Sequence, residues 1–173
     1  MVRNIWISVA LALLISFSLS ACISEEQSYI EDVVVVGDSL PDFEVVMSDG
    51  STISGADLRT TTSVVMFFHT GCPDCQQALP RVQQLYNSYS SQGVQFVLIS
   101  REDGATSVAE YWQKSGLTMP YSAQEDRAIY ELFARKRVPR IYISNNSGVI
   151  ESIFTDNPVP TYEALEEALT SLL

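Results

Sequence analysis

The sequence predicts an α/β layer fold, and three observations carry that expectation. Apolar runs of strand length recur near Asp42–Met47, Val64–Phe68, Val94–Ile99, Ile141–Ser144 and Val149–Phe154. Segments with helical apolar spacing lie between them, the alternation that lays helices over a sheet. The chain then closes with a hairpin, turned at Asn145-Asn146-Ser147-Gly148, and a last helix.

The helices follow in order. Leu79, Val82, Leu85, Tyr86 and Tyr89 share one face after the Cys72 region, and Val108, Tyr111 and Trp112 mark a second helix ended by Ser115-Gly116. Ile129, Leu132 and Phe133 predict a third. Thr161 is placed to cap the last, whose Leu165, Leu169 and Leu172 recur at helical spacing. The 173 residues are 46% hydrophobic and 18% charged, which fits one globular domain and excludes a disordered or collagenous chain. A formal charge of −11 repels phosphate backbones and argues against nucleic-acid binding. No internal repeat or second-domain linker is visible.

The N-terminus reads as targeting. Arg3 precedes an uncharged apolar core, Ile5–Leu19, which is shorter than the ~20 residues of a spanning helix and suits an exported leader. Leu19-Ser20-Ala21-Cys22 then resembles a bacterial lipoprotein box. That resemblance implies a leader over residues 1–21, lipidation of Cys22, and a mature chain from residue 22 with charge −12. Ile23 after the cysteine favours the outer membrane by the sorting rules of such lipoproteins. An ordinary secretory signal with an incidental Cys22 is the alternative. Residues 22–36 read as an acidic tether, solvated by Glu25, Glu26, Glu31 and Asp32, in which Val33–Val36 has the composition to dock as an edge strand. The folded domain is expected over residues 37–173.

The two remaining cysteines stand as Cys72-Pro73-Asp74-Cys75, between a strand and a helical segment. Cys72 is therefore expected at a helix N-terminus, where unpaired N–H groups and the helix dipole favour a thiolate. Cys75 falls one turn behind. Cys72 is placed to attack a disulfide and Cys75 to resolve the mixed disulfide that forms.

This arrangement, with Pro80 in the helix and Val138-Pro139 before a later strand, resembles thioredoxin-like proteins, and most of all membrane-tethered thiol–disulfide oxidoreductases of the TlpA and ResA type. Gly37-Asp38-Ser39-Leu40-Pro41-Asp42-Phe43, the Asp49-Gly50 turn and Ala56-Asp57-Leu58-Arg59 match that group's N-terminal extension. The resemblance implies a thioredoxin-like fold, with a central mixed β-sheet flanked by helices and an N-terminal strand extension. It implies a cis Pro139 facing the cysteine pair, with the Val138 backbone offered to a substrate strand. It also implies oxidised envelope proteins as clients, a membrane thiol-electron donor as partner, and work on the non-cytoplasmic side of the membrane. No cofactor beyond the redox-active cysteine pair is expected, since neither GxGxxG nor a P-loop is present.

Other readings of the pair remain open. A zinc site needs two further ligands, and His69 is the lone histidine. An inert structural disulfide in a tethered binding module is a second alternative. A peroxiredoxin-type peroxidase is a third, although that family carries Thr or Ser three residues before its reactive cysteine, where His69 stands here. The chain also departs from its nearest resemblance. Gly71 replaces a tryptophan, and Met66 and Ala78 stand where relatives carry acids that handle the Cys75 proton. Asp74 or water is left to do that work, and the charge of Asp74 opposes a Cys72 thiolate and favours a reducing pair.

One basic cluster runs against the acidic whole. Arg127, Arg135, Lys136, Arg137 and Arg140 surround Pro139, and Arg137 stands where the family often has glycine. If Pro139 faces Cys72, Arg137 and Arg140 are expected beside the substrate, where they would favour the thiolate and steer acidic partners. A solvated loop is the plain alternative.

Overall fold

The computed structural model describes residues 31–173. The expected leader over 1–21, the lipidation residue Cys22 and tether residues 23–30 lie outside the described residues.

The three longest apolar runs become the middle of one sheet, because only a strand covered on both faces can hide a continuous apolar run. These are β3 (Ser63–Phe68), β4 (Gln95–Ser100) and β6 (Arg140–Ser144). With β5 (Tyr121–Ser122) and β7 (Ile150–Phe154) they form a mixed sheet in the order β5-β4-β3-β6-β7. β4 runs parallel to β3, with Val65 opposite Val97. β6 runs antiparallel, with Val65 opposite Tyr142. β1 (Glu44–Val46) and β2 (Thr52–Ser54) make a separate hairpin, the strand extension. It runs into α1 (Gly55–Leu58), where Ser54 and Asp57 form a reciprocal capping box.

Helix α2 (Pro73–Tyr89) buries Cys75, Ala78, Leu79, Val82 and Leu85, close to the expected face. α3 (Ala105–Ser115) ends at Gly116, whose φ of 66° suits the left-handed cap. α4 (Tyr162–Thr170) begins where Thr161 accepts a hydrogen bond from the Ala164 N–H, and buries Leu165 and Leu169. α2 packs on α4, tied by Arg81 to the Pro160 carbonyl at 2.6 Å. The β6–β7 turn closes at Gly148, with φ of 73°.

Two expectations change. Ile129, Leu132 and Phe133 do not form a helix; only a 3₁₀ turn, Tyr130–Leu132, is present. The carbonyls that would propagate it have tertiary partners instead. Phe133 accepts from Val33 and Val34, Arg135 from Arg127, Lys136 from Arg140, and Arg137 from Tyr130. Glu31 and Asp32 are also not simply solvated, and the docking expected of Val33–Val36 occurs at Val33 and Val34 without forming a strand. Residues 31–36 lie against the domain: Asp32 bridges Ala134, the Arg135 N–H donates to the Glu31 carbonyl at 2.7 Å, and Val34 is buried. The missed elements (β2, β5 and α1) span two to four residues each, too short to carry a period.

Beneath β6 lies an aromatic cluster. Phe67 packs on Phe133 at 4.8 Å with the rings tilted and meets Tyr130 edge-on at 5.5 Å, while Phe133 packs on Tyr142 at 5.1 Å. Each such pair contributes about 1 kcal/mol beyond its buried area. The cluster makes a firm floor for the loop that leads into β6.

Candidate active site

β3 and β4 are parallel, so their C-terminal ends open on the same edge of the sheet, where α/β proteins place their sites. His69, Thr70 and Gly71 carry the chain from β3 to Cys72, the N-cap of α2, with Pro73 in the first turn. Asp103, buried after β4, fixes this loop: its Oδ2 accepts from the Thr70 N–H at 2.8 Å and from the Thr70 hydroxyl at 2.5 Å. The Gly71 N–H donates to His69 Nδ1 at 2.9 Å, so the neutral ring carries its proton on Nε2. A Cβ at Gly71 would stand 3.3 Å from that imidazole, so the residue in the tryptophan's place gives the histidine its room.

Cys72 is half-buried and Cys75 fully buried, both with free thiols. The Cys75 N–H points at Cys72 Sγ at 3.4 Å, one of the orphan donors of the helix start. Burial pushes the Cys75 thiol far up from its ordinary range, and the hydrogen bond with Cys72 raises it further. The His69 backbone and Arg101 pull weakly the other way. Cys75 therefore holds its proton in the resting dithiol. Asp74 accepts from Gln77 at 3.3 Å.

Across from the thiols, the Val138–Pro139 peptide is cis, and the Cys72 thiol donates to the Val138 carbonyl at 3.3 Å. Arg137, just before it, has φ of 68°, a left-handed conformation that costs a non-glycine residue about 1 kcal/mol. Tyr130, buried between the Arg101 and Arg127 guanidinium groups (5.4 and 5.3 Å from its ring centre), donates its hydroxyl to the Arg137 carbonyl at 2.7 Å. An open cavity of about 470 Å³ results, lined by His69, Gly71, Cys72, Arg101, Arg137 and Val138.

The structure thus brings Cys72, Cys75, Val138, Pro139 and Arg137 together and leaves Arg140 aside. Arg140 is 1% exposed, pairs with Asp32 and donates Nε to the Lys136 carbonyl, so it has no face toward a substrate. Burial works against its cation, but Tyr142, Asp32 and Tyr130 around it hold its pKa above the ordinary value. The cluster is also largely neutralised. Arg127 lies 3.2 and 3.3 Å from Glu102 and Glu131, and Arg137 lies 3.2 and 3.7 Å from Glu31 and Asp156.

Arg101, Asp103 and Tyr130 escaped the reading of the sequence, and Glu31 was read only as a solvated tether residue. Arg101 alone had a usable signal: as the residue after a strand parallel to β3, it belongs at the Cys72 edge. Among the described residues, no group of three or more His, Cys, Asp or Glu side chains is placed to hold a metal.

A half-open cysteine at a helix start, a buried partner one turn on and a cis-proline loop facing both, on this mixed sheet, define an oxidoreductase of the thioredoxin-like class. The chain belongs to the AhpC/TSA family, whose pattern matches residues 36–153. It is 29% identical over 122 residues to a protein named thiol-disulfide oxidoreductase ResA from Oceanobacillus iheyensis, a match covering 68% of this chain and 64% of that protein. A ResA from Geobacillus kaustophilus is 25% identical over 80% of this chain and 79% of its own. A thiol:disulfide interchange protein of Chlorobium tepidum has the same fold, with a TM-score of 0.68 and 21% identity, covering 80% of this chain and 98% of that one.

Proposed function

We propose that this protein is a membrane-anchored thiol–disulfide oxidoreductase that reduces or exchanges disulfides of envelope proteins through Cys72 and Cys75. The observation that carries the reading is the asymmetry of the pair. Cys72 opens on the cavity 3.3 Å from the Val138 carbonyl, and Cys75 is sealed behind it with a thiol that burial keeps protonated.

Cys72, as thiolate, attacks one sulfur of a substrate disulfide. A Cys72–substrate disulfide forms, and the other substrate sulfur leaves and takes up a proton. Cys75 then loses its proton and attacks Cys72, which releases the second substrate thiol. Two electrons and two protons have passed to the substrate, and Cys72–Cys75 is the oxidised product. The Val138 backbone before Pro139 is placed to pair with the substrate strand, as edge strands do. A membrane-bound dithiol donor on the non-cytoplasmic side would return the electrons. Lipidation at Cys22, with the outer membrane favoured, would hold the domain over residues 37–173 on its tether.

The reducing direction gains support from the neutralised cluster. Three of the cations that would favour the Cys72 thiolate, and with it an oxidising pair, each face a carboxylate, whereas Asp74 stands in the first turn beside Cys72. A peroxidase loses support, because the hydroxyl two residues before Cys72, on Thr70, is committed to Asp103.

Equilibration with glutathione, read by alkylation, tests both class and direction. A potential near about −270 mV fits a reductase, and one near about −120 mV reverses the direction. Cys75→Ser should leave substrates trapped on Cys72 as mixed disulfides. If neither potential nor trapping can be measured, the pair is an inert disulfide.

A further inference from the structure

The chain enters the domain beside its catalytic cavity. Residues 31–36 lie along the loop that ends at Pro139, held by backbone and charge together. The Val33 and Val34 N–H groups both donate to the Phe133 carbonyl, at 3.0 and 3.2 Å, and the Arg135 N–H donates to the Glu31 carbonyl at 2.7 Å. Asp32 pairs with the buried Arg140, and Glu31 stands 3.2 Å from Arg137, a wall of the Cys72 cavity. Val34 turns inward, while Val33, Val35 and Val36 face out, as does Leu132 beside them. Glu31 is therefore a rim residue, with an apolar outer face next to it.

We propose that residues 31–36 are a strap that brings the leash out at the active-site rim, so that the dithiol serves a cysteine pair held close to the bilayer by an integral membrane protein. The inference rests on the reading of Cys22 as the lipidated residue. Residues 23–30 alone then separate the lipid from the rim, and fully extended they reach about 30 Å. A leash fastened to the far side of the domain would spend that reach in going around it. Fastened at the rim, it holds Cys72 near the membrane surface, with the exposed Val33, Val35 and Val36 beside the point of attachment. The membrane-held partner gains effective concentration from the short leash, where a freely diffusing client gains none.

The test uses the full lipidated protein in phosphatidylcholine vesicles, reduced at Cys72 and Cys75. The vesicles also carry a membrane-spanning peptide with a disulfide loop about five residues from the bilayer, within the ~30 Å reach of the leash. Exchange is followed by alkylation, beside exchange with the same loop as a soluble peptide. A Gly/Ser segment of about 30 residues is inserted between Gln27 and Ser28 in one variant, and between Val36 and Gly37 in another. The first lengthens the leash ahead of the strap and should slow the membrane-held exchange about tenfold, by the −3/2 power of length, with the soluble rate unchanged. The second leaves the strap docked and should change neither rate. Equal slowing by both insertions, or none by the first, overturns the strap. If Cys22→Ala stays on the vesicles as wild type does, the anchoring reading fails and takes this inference with it.

Discussion

The two walls of the Cys72 cavity are built in opposite ways. One wall is mostly local: β3, a three-residue loop and the start of α2 set Cys72 and Cys75 through contacts within a few positions, with Asp103 on Thr70 as the distant charge that fixes the loop. The other wall is assembled from afar. The loop before β6 is shaped by Glu31 and Asp32, by Tyr130 and by Asp156, so a segment about a hundred positions upstream sets its charge. The chemistry therefore rests on the wall that resists change, and the surface a substrate meets rests on the wall that single substitutions can retune.

The largest way to break the second wall is Asp32→Ala. Arg140 is 1% exposed, and its loss of a carboxylate leaves a cation with little beyond the Lys136 carbonyl. Breaking a fully buried pair costs about 3–5 kcal/mol; Asp32 is itself 44% exposed, which lowers the expectation to about 2 kcal/mol. Urea unfolding measures it, and adding Arg140→Leu should recover most of the loss. If Asp32→Ala unfolds with the wild-type midpoint, the strap does not support the loop. By the same argument residues 31–36 belong to the folded unit, and a chain trimmed to residue 37 should show at least this loss.

The local wall has its own signature, in alkali. Burial raises the Cys75 thiol in the folded state above its ordinary 9.0, so the folded protein keeps a proton that the unfolded chain gives up. The stability this contributes is whole below about pH 9 and falls as pH rises beyond it, by up to about 1.4 kcal/mol per pH unit. Tyr142, also raised by burial, adds the same sign at higher pH. Urea midpoints of the reduced protein between pH 8 and 10.5 should therefore fall more steeply than those of Cys75→Ala. Parallel curves would mean that the thiol is hydrated.

This difference between the walls also explains what the sequence disclosed. Cys72-Pro73-Asp74-Cys75 is a contiguous motif after an apolar run, and its helix begins where its proline permits, so the pair and its placement at the helix start were legible. Pro139 was legible too, through resemblance. Arg140 was misjudged because charge next to a site in sequence says nothing of direction: on β6, its side chain points into the interior toward Asp32. The helix expected around Leu132 failed for the same reason, since the strap competes for the Phe133 carbonyl and no local period reports that. Arg101 and Tyr130 needed the sheet order before they could be placed.

A smaller effect sharpens the role of Tyr130. Its hydroxyl bonds the Arg137 carbonyl one residue before Val138, and Tyr130→Phe removes that bond at a cost of about 1 kcal/mol. If the bond positions the loop for a protein strand, KM for a peptide disulfide should rise several-fold, while turnover of a small disulfide that needs no strand pairing stays the same. A uniform loss with both substrates would assign Tyr130 to stability alone.

The smallest expected change is Arg137→Gly, and its near-zero value is the informative part. Glycine relieves the left-handed backbone at φ 68°, a gain of about 1 kcal/mol. Against this stand two ion pairs, at 3.2 Å to Glu31 and 3.7 Å to Asp156, made by a side chain that is 48% exposed, together worth about 1 kcal/mol. Asp156 Oδ1, buried without a hydrogen bond, also loses its nearest cation, which offsets part of the gain. The melting temperature should stay within about 3 °C of wild type. An arginine that costs as much as it returns in stability is then kept for the cavity it lines, and the substitution should raise KM for peptide disulfides with acidic flanks more than for neutral ones. A melting temperature lower by 8 °C or more would show instead that Arg137 pins the strap, and that the fold, not the substrate, accounts for its charge.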